Sequence, residues 1–281
     1  MKVIKDIHEM QEAAESLRRS GKIIGFVPTM GYLHDGHLSL IHIARKRADV
    51  VIISIFVNPT QFGQNEDLGK YPRDFKRDEK LAEEAGTDII FYPSEENMYP
   101  GGYRTYVSVE KITEALCGAS RPNHFRGVTT VCAKLFNTVK PHFAVFGQKD
   151  AQQAVVIQRM VTDLNLELEI VVGPIVREKD GLAMSSRNTY LTPDQRQDAL
   201  SLYQSLHLAK SMIDGGERDT GNLIKAMQEL IQSKNNTRVD YIQIVHPETL
   251  QSLDRIQENA LIALAVFVGD TRLIDNLQVT L

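Results

Sequence analysis

Apolar residues recur along this chain in two rhythms that take turns. Ile7, Met10, Ala14 and Leu17 stand three and four apart behind Asp6 and Glu9, a capping pair, and predict an opening amphipathic helix. Apolar runs at 23–27 and 50–56 predict strands, with a helical pattern over 38–48 between them. The alternation continues with a helix at 78–84 ending near Gly86, a strand at 89–92, a helix at 128–139, a strand at 143–146, a helix at 151–162 and a strand at 168–172. Unbroken apolar strands belong to a sheet buried on both faces, and their alternation with helices implies an α/β fold with a doubly wound, Rossmann-like parallel sheet. Ligands of such sheets lie beyond the carboxyl ends of the strands.

The pattern lapses from Gly173 to Tyr190 into a polar, glycine-containing stretch. A domain junction is expected there, separating a first domain, 1–175, from a second, 176–281. Thr192-Pro193-Asp194-Gln195 is a helix start with proline in its first turn, opening a long helix to about 213. A helix at 221–232 and strand-like runs at 241–245 and 260–267 complete a smaller α+β unit.

Composition narrows the function. With 32 basic against 36 acidic side chains and a net charge of −4, the chain lacks the basic excess that nucleic-acid binding demands. Its N-terminus has no signal-peptide core and no apolar run is long enough to span a bilayer, so a cytoplasmic enzyme is expected, with neither nucleic acid nor membrane as partner. Cys117 and Cys132 have no metal-site or redox spacing and read as small buried apolar residues.

The richest chemistry stands at 28–37, PTMGYLHDGH, between the first strand and its helix. A helix N-terminus offers unpaired backbone N–H groups and the positive end of the helix dipole, a natural place for phosphate. His34 and His37 would add imidazole donors for the charge that builds on a triphosphate. Read alone, the pair fits a hydrogen-bonded surface turn equally well. Neither G-x-G-x-x-G nor G-x-x-x-x-G-K-[ST] occurs, which argues against a dinucleotide-binding Rossmann enzyme and a P-loop ATPase. Lys149, after the fourth apolar run, could reach phosphates, and Ser185-Ser186-Arg187 could close over them as a mobile loop.

Six ordered motifs then carry a resemblance: PTMGYLHDGHLSL (28–40), FVNPTQF (56–62), YPRDF (71–75), RPNHFRGV (121–128), FGQKDAQQ (146–153) and REKDGLAMSSRN (177–188). The chain resembles the pantoate–β-alanine ligase family, and through it the nucleotidylyltransferases related to class I aminoacyl-tRNA synthetases. The resemblance implies ATP-dependent joining of D-pantoate to β-alanine through a pantoyl-adenylate, with AMP and pyrophosphate released. By the same resemblance His34 and His37 donate to the triphosphate, with His37 near the transferring centre as proton donor or transition-state stabiliser. Met30 lines the nucleotide site; Lys149, Ser185, Ser186 and Arg187 grip phosphates; Gly147, Asp150, Val176 and Met184 frame adenine and ribose. Gln61 and Gln153 are the implied pantoate ligands, with Asn58, Tyr71, Arg121 and His124 around pantoate or β-alanine. Mg²⁺ is expected with ATP. Where relatives carry adjacent acidic residues this chain reads Lys76-Arg77-Asp78, so Asp78 alone stands as a possible metal ligand. The resemblance also implies a homodimer through the larger domain. A transferase that stops after nucleotide transfer and a nucleotide-binding regulator remain the alternatives.

Overall fold

The structure is a computed structural model that describes residues 1–64 and 66–281. The chain divides into two compact units. The first comprises Met1–Val109, Arg121–Gln148 and Val156–Pro174; the second takes in Glu110–Ser120 and Lys149–Val155 besides Ile175–Leu281.

Six strands of the first unit form one parallel sheet: β1 (Lys2–Ile4), β2 (Ile24–Thr29), β3 (Val50–Ile55), β4 (Ile89–Phe91), β5 (Phe143–Gly147) and β6 (Glu169–Gly173), in the order β1-β4-β3-β2-β5-β6. Between them run α1 (Ile7–Arg19), α2 (Asp35–Arg45), α3 (Phe75–Glu84), the short α4 (Glu95–Met98) and α5 (Cys117–Ser120), α6 (His124–Val139) and α7 (Ala151–Asp163). Side chains of a strand alternate between faces, and neighbours here divide accordingly. Phe26, Ile52 and Ala144 pack with Met10, Ala14, Val128 and Phe136 on one side, while Val27, Ile53 and Val145 pack with Leu40, Ile41, Ala44 and Ala82 on the other. Each internal strand feeds two cores, which is why it reads as continuously apolar. The doubly wound parallel sheet expected from the pattern is present.

In the second unit β7 (Thr237–Val245), β8 (Asn259–Val268) and β9 (Thr271–Thr280) form an antiparallel sheet. Its core joins Ile262, Leu264 and Val266 to Leu202 and Leu206 of α8 (Pro193–Asp214) and Leu223 and Met227 of α9 (Thr220–Gln232). The expected helix start at Thr192 forms, and it is a capping box: Gln195 N–H donates to Thr192 Oγ1 at 3.3 Å, and Thr192 N–H to the Gln195 side chain at 3.1 Å.

Two strands escape the sequence pattern. β1 is three residues long, too short for a period. β9 carries Asp275 and Asn276 in its middle, both buried, where an apolar residue would have signalled a strand. Helix α6 begins at His124, four residues before its apolar stretch.

Candidate active site

The order of the sheet fixes where a ligand can sit in the first unit. From β2 the chain steps to β3 on one side, while β5 pairs with β2 on the other, so the carboxyl ends of β2 and β5 flank the point where the winding reverses. Segment 30–34 leaves β2 there, and Gly147 ends β5.

The histidine turn is held from within. Thr29 Oγ1 donates to Ser54 O at 2.7 Å and accepts the Gly31 N–H at 3.1 Å. Gly31 has φ +82°, and a Cβ there would lie 2.9 Å from both Asp78 Oδ2 and Ile55 Cγ2, so glycine is required. His34 caps α2: its Nδ1 accepts the Gly36 N–H at 3.1 Å, and His37 Nδ1 accepts the His34 N–H at 3.4 Å. A nitrogen that accepts carries no proton, so this network assigns both ring protons to Nε2. The rings lie 4.1 Å apart at 37°. The Gly36 N–H, and the His37 N–H that donates to His34 O at 2.7 Å, are used inside the turn, contrary to the expectation of unpaired backbone donors. The positive end of the α2 dipole lies at this turn, beside the two rings.

Asp78 is placed differently from the expected metal ligand. Its carboxylate, 1% exposed, accepts the N–H groups of Tyr32 and Leu33 at 2.7 Å each, anchoring the turn, and the Arg77 guanidinium lies 3.5 Å away. Burial pushes its pKa up against the pull of those two N–H groups and of Arg77.

A second cluster of expected site residues gathers around Gln61. Its Nε2 donates to Met30 Sδ at 3.0 Å, and its Oε1 accepts from Asn58 Nδ2 at 3.1 Å. Asn58, expected at the substrate, is 1% exposed and serves as a hub: Nδ2 also donates to Gly127 O at 3.1 Å, and Oδ1 accepts from Thr60 Oγ1 at 2.9 Å and Tyr99 OH at 2.8 Å. Burial raises the Tyr99 phenol to about 12, which keeps it a donor at neutral pH. Gly127 lets α6 lie against this turn, since a Cβ would fall 2.3 Å from Thr60 O.

Arg121 and His124 likewise bond inward. Arg121 grips Glu66 through Nε at 2.7 Å and Nη2 at 2.5 Å, and its Nη1 meets His124 Nε2 at 3.1 Å. His124 Nδ1 in turn stands 2.8 Å from Gln61 O. Glu66 is pushed up by burial and pulled down further by Arg121, ending below its ordinary value. Tyr71, 6% exposed, packs edge-on to Phe62.

In the second unit Lys149 Nζ lies 3.8 Å from Asp150 Oδ1, and Asn276 Nδ2 donates to Lys149 O at 2.9 Å, tying the lysine to β9. Gln153 is half-buried on α7, while Gln152 beside it fastens the 112–117 segment through Cys117 N, Ile112 O and Ala115 O. Val176 and Met184 face each other across a hairpin, with Met184 N–H donating to Val176 O at 3.0 Å. The stretch expected to be a mobile strap is tied by charge: Arg177 forks onto Asp275 at 2.6 and 3.0 Å, and Arg196 reaches Glu178 at 2.8 Å and Asp180 at 2.7 Å. Ser185 Oγ accepts the Arg187 N–H at 3.3 Å, opening a 3₁₀ turn over Ser186–Tyr190 with Ser186 buried. Asn188 closes it, donating to Glu178 at 2.7 Å and Ala183 O at 3.1 Å. The anchors Glu66, Tyr99, Gly127, Glu178, Arg196 and Asp275 escaped sequence reading.

Comparison with known proteins gives one answer. The sequence model of the family described as Pantoate-beta-alanine ligase matches residues 2–278. A pantothenate synthetase of Syntrophus aciditrophicus is 58% identical over 276 residues, covering 98% of this chain and 96% of its own. One from Caldicellulosiruptor saccharolyticus is 57% identical over 279 residues, 99% of each chain. Among solved structures, the pantothenate synthetase of Thermus thermophilus has a TM-score of 0.93 at 45% identity, covering 99% of both chains. The pantoate–β-alanine ligase of Francisella tularensis, complexed with beta-gamma ATP and β-alanine, has a TM-score of 0.81 at 34% identity, covering 99% of this chain and 97% of that one.

Proposed function

The chain belongs to the pantoate–β-alanine ligase family, and from that membership we propose how its residues divide the reaction. The reaction is the ATP-dependent condensation of D-pantoate with β-alanine through a pantoyl-adenylate, releasing AMP and pyrophosphate. A carboxylate is a poor acyl donor. Attack of the pantoate carboxylate on the α-phosphorus expels pyrophosphate and leaves AMP as the group that the β-alanine amine displaces. Such in-line transfer needs positioning and charge neutralisation more than a protein nucleophile.

The observation that carries the residue assignment is the tautomer of the histidine pair. His34 and His37 accept at Nδ1 from the backbone, which puts the ring proton on Nε2, the nitrogen that donates to charge developing on the phosphates in this reading. His37 acts at the transferring centre. Lys149, Ser185, Ser186 and Arg187 supply charge and donors to the phosphates, and Met30, Gly147, Asp150, Val176 and Met184 frame the nucleoside. Gln61 and Gln153 are assigned to pantoate, and Tyr71 to pantoate or β-alanine. Asn58, Arg121 and His124 support Gln61 instead of touching substrate. Among the described residues no group of three or more His, Cys, Asp or Glu side chains could hold a metal ion, and Mg²⁺ needs no such group, being held by one or two carboxylates at most beside phosphates and water. In this reading the cation arrives with ATP, held by phosphate oxygens and water. A homodimer and a cytoplasmic location belong to the same reading, supported by family membership. Among the described residues no helix is long and apolar enough to cross a membrane.

Exchange of labelled pyrophosphate into ATP, with Mg²⁺ and without β-alanine, is the test. Exchange that requires D-pantoate is expected. Exchange without pantoate, or none despite ATP binding by folded protein, would overturn the adenylate assignment.

A further inference from the structure

Two chains of hydrogen bonds converge on Gln61 from residues that stand apart from the expected substrate contacts. The first fixes its side chain. Gly127 O can only accept, so the Asn58 nitrogen must face it, and the Asn58 oxygen must face Tyr99 OH and Thr60 Oγ1. Oriented so, Asn58 has a second N–H for Gln61 Oε1, which turns the Gln61 nitrogen outward toward Met30 Sδ. The second chain fixes the main chain. Arg121 can only donate, so His124 Nε2 must accept and its proton lies on Nδ1, donated to Gln61 O. Arg121 is itself set by its two bonds to Glu66.

We propose that Tyr99 and Glu66 are positioning residues of the pantoate subsite: they act on Gln61 through Asn58 and through Arg121–His124, so that Gln61 meets pantoate with its NH₂ group foremost. The subsite is thereby built to recognise an oxygen acceptor, carboxylate or hydroxyl, at that point. This rests on the assignment of Gln61 to pantoate.

Steady-state kinetics of Tyr99→Phe and Glu66→Gln, each alone and in a Gln61→Ala background, test both layers separately. Tyr99→Phe keeps the ring against Phe56 and Tyr103 and removes one hydroxyl. The expected result is a pantoate KM raised about fivefold by Tyr99→Phe and about tenfold by Glu66→Gln, scaled from the loss of a neutral and a charge-assisted hydrogen bond. kcat and the ATP KM stay at wild-type values, and neither substitution adds to the effect of Gln61→Ala. Effects that multiply with Gln61→Ala, or that fall on kcat and the ATP KM as well, would overturn the positioning role. A pantoate KM unmoved by Gln61→Ala would remove Gln61 from the pantoate site, and the proposal with it. A thermal midpoint measured for each variant separates these results from loss of folded protein.

Discussion

The turn at 28–37 and the turn at 176–190 each present polar groups assigned to ATP, yet they are held by opposite means. In the first, backbone N–H groups bond to imidazole nitrogens and to one buried carboxylate, and the residues that matter lie mostly within a few positions of each other. In the second, guanidinium groups fork onto carboxylates as far as 98 residues away. A turn made by local capping sets its geometry as its helix forms. One made by ion pairs acquires its geometry only when the surrounding unit has folded, and it depends on the ionisation of its anchors.

The largest effect should come from removing a charge anchor. Arg177→Met keeps much of the side chain over Tyr203 but leaves Asp275, whose side chain is 1% exposed, without its cationic partner, with the Asn276 N–H still donating to it at 2.8 Å. Stranding a buried carboxylate costs about 3–5 kcal/mol, read as a fall in denaturation midpoint. A loss below about 1 kcal/mol would show that the second turn is not held by charge. In the histidine turn the comparable loss should appear in rate. His37→Ala should lower kcat about 10²–10³-fold, equivalent to about 3–4 kcal/mol, with a small effect on stability. A raised ATP KM at unchanged kcat would make His37 a binding residue instead.

The same contrast explains what the sequence could disclose. The strand before the histidines, the glycine and the helix start are all local signals, so the turn at the end of β2 was legible from 28–40, although its two histidines read alone fitted a plain surface turn equally well. Orientation was not. Nothing near Asn58 says that its amide is consumed by Gly127, Thr60 and Tyr99, and nothing in Arg121 announces Glu66, 55 residues earlier. Polar residues in a motif were therefore read as facing substrate when several face each other. Segments 110–120 and 149–155 belong to the second unit through contacts that no periodicity records. β9 was missed for a related reason: the buried Asp275 that breaks its pattern is the partner of Arg177.

Asp78→Asn probes the first turn at its one charged anchor. The two oxygens of Asp78 each accept a backbone N–H, and asparagine would turn its NH₂ against one of them. The expected loss is about 2 kcal/mol, from one buried donor left unsatisfied. A stability unchanged within about 0.5 kcal/mol would mean that Gly31 and the His34 cap suffice to hold the turn.

The smallest effect, and the sharpest comparison, is the response of the two turns to acid. Burial alone would push the Asp180 carboxyl up, but the Arg196 guanidinium and the Leu182 N–H hold it below its ordinary value of 3.8. A carboxyl with a lowered folded pKa contributes stability that is present above 3.8 and is lost as pH falls through the lowered value. Asp78, pushed above 3.8, has the opposite sign: the folded state holds its proton longer, so its contribution falls as pH rises through the window just above 3.8. Denaturant midpoints of wild type, Asp180→Asn and Asp78→Asn across pH 3 to 5, about the range of ordinary carboxylate titration, resolve the two. The advantage of wild type over Asp180→Asn should shrink as the acid end is approached. Its advantage over Asp78→Asn should instead shrink as pH rises. With Asp180 partly exposed, its share should stay below about 1 kcal/mol. Slopes of the same sign for both variants would mean that the two carboxylates are held alike, and the distinction between a turn fixed by capping and a turn fixed by charge would fail.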